Sequence, residues 1–352
     1  MSVFVARLPT CKPRTAIIAH ARNVISSPEP RKTMPQAPHG RFAPTPSGRM
    51  HLGNVWCALI AWLAVRTEGG TLTLRIEDLD PRKTPAGATG ALIDDLRWLG
   101  LDWDEGPVFQ SERAAIYEQH AARLERMGLT YPCFCSRAEL HAAQAPHASD
   151  GTPIYAGTCR TLTDEQVRER SRMRPAALRL RVPEAADPAG TIQFTDEVYG
   201  DQLECLAQEC GDFLVRRSDG VHAYQLAVTV DDALMGVDYV VRGRDLLPSC
   251  ARQIYLQRLL GFDQPRYAHL PMLMAPDGTR RLSKRERDCD LGFMRDHFGM
   301  PEVLIGRLAH LTGLVDSPEA LSARELASVF SWDRLRATAK KGDIAVPGSF
   351  FC

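Results

Sequence analysis

Arg41-Phe42-Ala43-Pro44-Thr45-Pro46-Ser47-Gly48-Arg49-Met50-His51-Leu52-Gly53-Asn54 is the stretch that decides the fold. Pro44, Pro46 and Gly48 break the backbone after a short strand, and the apolar run Val55 to Val65 predicts a helix starting near His51. The first turn of such a helix carries unsatisfied N–H groups and the positive end of the helix dipole, a ready site for phosphate. A histidine there can donate to a phosphate oxygen, and Gly53 lets a nucleotide come close to the backbone. Alone, His51-x-Gly53 reads more simply as a capped core helix with an incidental histidine.

A second stretch, Arg281-Leu282-Ser283-Lys284-Arg285, follows the turn signal Pro276-Asp277-Gly278. A cation-rich loop suits a pyrophosphate leaving group, whose charge grows in the transition state. By itself it is an ordinary solvated basic loop. The two stretches in this order, with Glu77 between them, point to a chain that binds ATP and attacks its α-phosphate.

Thr71 to Ile76 alternates as a strand does and ends in Glu77, Asp78 and Asp80. Gly87 to Leu99 and Glu112 to Met127 read as amphipathic helices, the second capped by Ser111. Strand, helix, strand, helix predicts an α/β fold with a doubly wound parallel, Rossmann-type sheet. Acids at the end of a parallel strand then face the ligand crevice. From Tyr131 to Gln208 the pattern changes to clustered cysteines, prolines and glycines with short strands over Ala176–Val182 and Thr191–Thr195, which predicts an inserted domain splitting the sheet. The sheet is expected to resume with strands Phe213–Arg216, Tyr224–Val230 and Tyr239–Arg242, followed by a helix Ser249–Leu260. Helical patterns Pro301–Leu314 and Ser322–Leu335 make a short helical C-terminal segment. The expected divisions are 1–38, 39–130, 131–208, 209–285 and 286–352.

With 352 residues and a formal net charge of zero, the chain does not advertise nucleic-acid binding, although a local basic patch fits within a neutral total. No apolar run approaches the ~20 residues of a membrane span, so no membrane partner is expected. Ten irregularly spaced cysteines in a chain of this size favour cytosolic thiols with a metal cluster over disulfides. Met1 to His39 holds one acid, Glu29, among arginines, serines and prolines. It reads as a disordered extension or a misassigned start in preference to a transit peptide.

Arg41 to Asn54 resembles the HIGH signature of class I aminoacyl-tRNA synthetases, with Asn54 in place of the last histidine. Arg281 to Arg285 resembles their KMSKS signature, with Arg281 in place of the first lysine. Arg75 to Arg82, Gln110-Ser111-Glu112-Arg113 and Val241-Arg242-Gly243 resemble the glutamate-specific subgroup. The resemblance implies ATP contacts at Pro44, His51, Gly53, Asn54, Ser283 and Lys284, with His51 and Lys284 stabilising the transition state alongside Mg²⁺. It implies L-glutamate contacts at Arg41, Ala43, Thr45, Glu77, Tyr224 and Arg242. The chemistry agrees: two guanidinium groups and a phenol suit carboxylates, and Glu77 suits the ammonium. On sequence alone Tyr224 is equally a core tyrosine within a strand.

Cys133-Phe134-Cys135 and Tyr155-Ala156-Gly157-Thr158-Cys159 offer three thiolates, a soft set suited to zinc. From the residues alone, His141, His147 and Tyr155 compete for a fourth position, and three buried free cysteines are the plainer reading. The resemblance favours a structural Zn²⁺ on Cys133, Cys135, Tyr155 and Cys159, as in the glutamyl-queuosine tRNA(Asp) synthetase subgroup. Only Glu286 to Cys352 follows the second motif, too little for the helical anticodon-reading domains of ordinary glutamyl-tRNA synthetases. The subgroup implies an acceptor in the anticodon stem-loop of tRNA(Asp) bearing queuosine, and a cytoplasmic monomer. A truncated glutamyl-tRNA synthetase and a non-catalytic paralogue are the rival expectations.

Overall fold

A computed structural model describes residues 37–136, 138–139, 154–282 and 290–351. The expected extension 1–38 therefore falls almost wholly outside the described residues, as do His141, His147, Ser283 and Lys284. The strands are β1 (His39–Phe42), β2 (Thr71–Ile76), β3 (Glu105–Phe109), β4 (Thr130–Cys133), β5 (Ala177–Leu180), β6 (Thr191–Asp196), β7 (Gly200–Cys205), β8 (Phe213–Arg216), β9 (Tyr239–Gly243), β10 (Arg266–Leu270), β11 (Leu273–Met274) and β12 (Ile344–Ala345).

Seven of them form one sheet in the order β3-β2-β1-β9-β10-β6-β7. Every pairing is parallel except β6 with β7, so the fold is α/β with a mostly parallel sheet. The order reverses beside β1: the chain passes from β1 to β2 on one side, and β9 leads to β10 on the other. Helix Leu52–Arg66 makes the first crossover. Its buried residues run almost without a break from Val55 to Val65, because the sheet covers one side and C-terminal helices another. Gly40 permits this contact: a Cβ there would stand 2.5 Å from Val65 Cγ1.

Three details differ from expectation. Tyr224–Val230 is not a strand but the start of helix Tyr224–Leu234. Its β-branched residues Val228, Thr229 and Val230 favour strand locally, but all are buried, and packing overrides propensity. Phe213–Arg216 pairs antiparallel with β5 in the small sheet β4-β5-β8, whereas Thr191–Asp196 joins the large sheet through β10. The chain thus leaves and re-enters the large sheet around β8. Ser111 does not cap helix Ala114–Arg126; its N–H and hydroxyl both donate to Asp78 at the end of β2.

The C-terminal segment comprises helices Leu291–Phe298, Pro301–Leu311, Ala323–Val329 and Trp332–Ala339, so Ser322–Leu335 is two helices with a break at Phe330-Ser331. It shares one apolar cluster with helix Leu52–Arg66: Leu304, Leu308, Leu326 and Leu335 are buried with Leu59, Leu63 and Trp56. β12 adds to β11 in parallel, and Asp343 accepts from the Met272 N–H. Leu308→Ala is therefore expected to destabilise the whole described body by about 2–5 kcal/mol in a single transition. Urea titrations followed by tryptophan fluorescence and far-UV circular dichroism should shift together; separate transitions would show an independent C-terminal domain.

Candidate active site

The reversal of strand order opens a crevice at the carboxyl ends of β1 and β9, where open α/β sheets bind ligands. A cleft of about 540 Å³ lies there. Arg41, Ala43, Pro44, Thr45, His51, Gly53, Asn54, Glu77, Tyr224 and Arg242 all line it. Arg281 and Leu282 line it too, so the described part of the second motif meets the first. Leu282 N–H donates to Leu273 O on one side of the segment 283–289, and Leu291 N–H donates to Met50 O on the other.

At one end of the cleft, His51 caps helix Leu52–Arg66. Its Nδ1 accepts from the Asn54 N–H at 3.3 Å, and Asn54 Oδ1 accepts from the His51 N–H at 3.4 Å. Asn54 thus completes a reciprocal capping box. With Nδ1 accepting, the neutral ring carries its proton on Nε2, a donor suited to a phosphate oxygen. A Cβ at Gly53 would press on the imidazole at 3.0 Å, so glycine keeps that ring in place. Asp95, buried on helix Ala88–Trp98, anchors the turn by accepting from Met50 N–H and Arg49.

At the other end lies a buried charge network. Asp232 Oδ1 accepts from Arg75 Nη1 at 2.6 Å and from Arg41 Nε at 3.4 Å. Arg75 Nη2 reaches Glu77 Oε1 at 3.4 Å, and Arg41 Nη1 donates to Val241 O on β9. The adjacent Asp231 accepts from Gln110, Arg113 and Tyr117. Burial opposes ionisation of Asp232, but Arg75 and Arg41 outweigh it and hold the carboxyl below its usual range. Burial raises Glu77 against the pull of Arg75 and Arg41, which primes it for a cationic partner. Burial, helped by Glu77, pushes Tyr224 up to about 12, so its phenol remains a donor.

Arg242 is committed on two of its three nitrogens. Nε donates to His269 Nε2 at 3.0 Å, and Nη2 donates to Cys250 Sγ and Leu246 O. Nη1 is buried and has no hydrogen-bond partner. Arg75 Nε and Gln253 Nε2 are likewise buried without a hydrogen-bond partner, but of these three residues only Arg242 lines the cleft. Nη1 is thus the one Arg242 nitrogen without a hydrogen-bond partner among the described residues.

Outside the cleft, Cys133, Cys135 and Cys159 bring their sulfurs within 4.8 Å of one another. Cys135 and Cys159 sulfurs are 3.6 Å apart, and Tyr155 Oη lies 3.5 Å from Cys133 Sγ and 3.6 Å from Cys135 Sγ. Sulfur and oxygen ligands of one tetrahedral zinc ion stand about 3.5–3.8 Å apart, from bond lengths of ~2.3 and ~2.0 Å. The Cys135–Cys159, Cys133–Tyr155 and Cys135–Tyr155 separations fit that spacing. Arg179 donates to Cys133 Sγ and stacks on the Tyr155 ring at 3.8 Å.

Sequence reading missed Asp231, Asp232, His269, Asp196 and Cys250. A signal for the first two exists: on a helix, Tyr224, Ala227, Val228, Asp231 and Asp232 fall on one face, but the strand reading hid it. Asp232→Ala leaves two buried guanidinium groups without their shared carboxylate. The expected loss is about 3–5 kcal/mol of stability, read by urea denaturation.

The comparisons with known proteins agree with this geometry. The family described as tRNA synthetases class I (E and Q), catalytic domain, matches residues 39–344. A glutamyl-Q tRNA(Asp) synthetase of Symbiobacterium thermophilum is 49% identical over 84% of this chain and 93% of its own length. That of Nitratidesulfovibrio vulgaris is 46% identical over 78% and 86%. A glutamate–tRNA ligase 2 of Alkalilimnicola ehrlichii is 42% identical, but the chain covers only 65% of it. Among solved structures, a glutamate tRNA ligase of Elizabethkingia meningosepticum in complex with its amino acid superposes with a TM-score of 0.75 at 26% identity, over 90% of this chain and 68% of that one. The chain belongs to the class I tRNA synthetases of the E and Q type, within the glutamyl-Q tRNA(Asp) synthetase family.

Proposed function

We propose that the chain activates L-glutamate with ATP, without need of tRNA, and transfers it to the queuosine base at the wobble position of tRNA(Asp). The observation that carries the amino-acid reading is the partnerless Arg242 Nη1 in a cleft that also holds Glu77 and Arg41. A carboxylate oxygen completes Arg242, the Tyr224 phenol donates to the same ligand, and Glu77 takes the ammonium. The acceptor reading rests on the relatives that the chain covers nearly end to end.

In this mechanism an α-carboxylate oxygen of glutamate attacks the ATP α-phosphorus, and the bond to pyrophosphate breaks. The Nε2–H of His51 donates to the phosphate as negative charge develops, and Lys284, outside the described residues, neutralises the leaving group. Mg²⁺ bound to ATP would supply further countercharge. A hydroxyl of the queuosine cyclopentene ring then attacks the carbonyl carbon of the mixed anhydride, AMP leaves, and the hydroxyl proton passes to solvent. No side chain becomes covalent; the residues position and stabilise. Cys133, Cys135, Cys159 and Tyr155 would hold one structural Zn²⁺, which would join β4 to the Tyr155–Cys159 segment and take no part in bond making.

Two measurements test this. Purified protein should show glutamate-dependent ATP–pyrophosphate exchange, and an isolated queuosine-bearing anticodon stem-loop of tRNA(Asp) should accept glutamate. Periodate cleavage of the queuosine diol should abolish charging, while unmodified tRNA(Asp) and tRNA(Glu) stay uncharged. Charging of tRNA(Glu) at its 3′ end would support the truncated-synthetase reading instead, and absence of exchange would support a non-catalytic one. Elemental analysis should find one zinc per chain, lost in Cys159→Ser; zinc retained in full by that variant would remove the assignment.

A further inference from the structure

Arg242 is held from behind by a chain of two buried polar residues, His269 and Asp196. Asp196 ends β6 and His269 lies on β10, the strands next to β9, which carries Arg242. His269 and Asp196 are both fully buried. His269 Nδ1 is 2.7 Å from Asp196 Oδ2, and His269 Nε2 is 3.0 Å from Arg242 Nε. A carboxylate only accepts and a guanidinium Nε–H only donates, so the tautomer follows from the partners: Nδ1 carries the proton and Nε2 presents its lone pair to Arg242. Asp196 Oδ1 is occupied separately by the N–H groups of Val198 and Tyr199, at 3.0 and 2.9 Å, and by the His269 N–H at 3.4 Å.

We propose that Asp196 and His269 are positioning residues for glutamate selection: Asp196 locks the His269 tautomer, and His269 draws Arg242 Nε so that Nη1 is the nitrogen left for the substrate side-chain carboxylate. The inference rests on the reading of Arg242 as a glutamate contact. Two further contacts support the arrangement. The His269 ring stacks on Tyr267, which prevents rotation, and Cys250 Sγ with Leu246 O takes the Nη2 protons. Burial first, with Arg242 nearby, pushes His269 down to about 4, so the ring stays neutral and able to accept at neutral pH. A protonated or flipped ring would set N–H against N–H and displace the guanidinium.

Asp196→Asn tests the tautomer without changing shape. The amide oxygen of the substituted side chain must keep facing these three backbone N–H groups, so its N–H₂ faces His269 Nδ1. That nitrogen then has to accept, and the ring proton moves to Nε2, against Arg242 Nε–H. In ATP–pyrophosphate exchange the glutamate KM should rise at least about tenfold, the cost of a buried donor set against a donor. The ATP KM should stay within about twofold, because the His51 end of the cleft is untouched. His269→Gln, whose amide oxygen can accept from Arg242, should stay within about threefold of wild type, and Asp196→Asn should add little in that background. If Asp196→Asn does not fold, as judged by thermal melting, the contrast between His269→Gln and His269→Leu decides: only the leucine variant should lose glutamate affinity. A wild-type glutamate KM in Asp196→Asn, an equal penalty in both backgrounds, or equal effects of His269→Gln and His269→Leu would overturn the proposal. Arg242→Ala separates the two levels. If it leaves the glutamate KM unchanged, the glutamate-contact reading fails; if it raises the KM while Asp196→Asn does not, only the positioning role fails.

Discussion

The carboxylate of Asp232 is the point on which the cleft depends. It stands between Arg41 at the end of β1 and Arg75 on β2, and Arg75 in turn reaches Glu77. One carboxylate thus ties helix Tyr224–Leu234 to both β1 and β2. Burying such a cluster gains little net stability, because desolvation offsets most of the attraction. Its value lies in geometry. Arg75 is fully buried and touches no solvent, so it acts through Glu77 and Asp232 and fixes where the cleft's acid and its Arg41 cation sit. Asp231 extends the same lattice to Arg113 and Tyr117 at the front of helix Ala114–Arg126.

A second constraint organises the phosphate end. The His51 turn is gripped from three directions: by the Asn54 capping box, by Asp95 beneath Arg49 and Met50, and by the backbone of Leu291 after the second motif. Leu291 begins the C-terminal helices, and Asp290 caps the first of them through the Phe293 N–H. The same helices bury their apolar faces against helix Leu52–Arg66, the helix that His51 caps. Both anchors of the segment 283–289 therefore belong to the rigid core.

Much of this was legible because it is written locally. Proline, glycine and an apolar run specified strand, turn and helix around His51, and Thr71–Ile76 alternates over the span it occupies. Cleft-lining residues such as Arg41, Glu77 and Arg242 sit at strand ends, where a parallel sheet exposes them. What stayed hidden depends on partners far away in sequence. Tyr224–Val230 has strand-like side chains, and only burial among helices and strands makes it a helix. The exchange of β6 and β8 between two sheets has no local signature, since both are short amphipathic strands. His269 and Asp196 look like ordinary polar residues until the sheet order sets them behind Arg242.

The two ends of the cleft solve opposite electrostatic problems, and this accounts for their different construction. On the proposed reading the His51 end meets a phosphate ligand that carries several charges and arrives hydrated, so the partial charges of a helix N-terminus and an imidazole N–H suffice. The amino-acid end must hold full charges out of water before any ligand arrives. Buried cations there need permanent counterions, and Asp232 supplies one. Yet complete pairing would leave nothing for a substrate. The structure balances these demands by satisfying Arg242 on two nitrogens through neutral acceptors, His269, Cys250 and Leu246 O, none of which cancels its charge. A guanidinium held by neutral partners keeps its full charge for an incoming carboxylate, whereas one held by an aspartate would favour a neutral amide almost as well. On the proposed glutamate reading, selection for an acidic side chain follows from what surrounds Arg242 as much as from Arg242 itself.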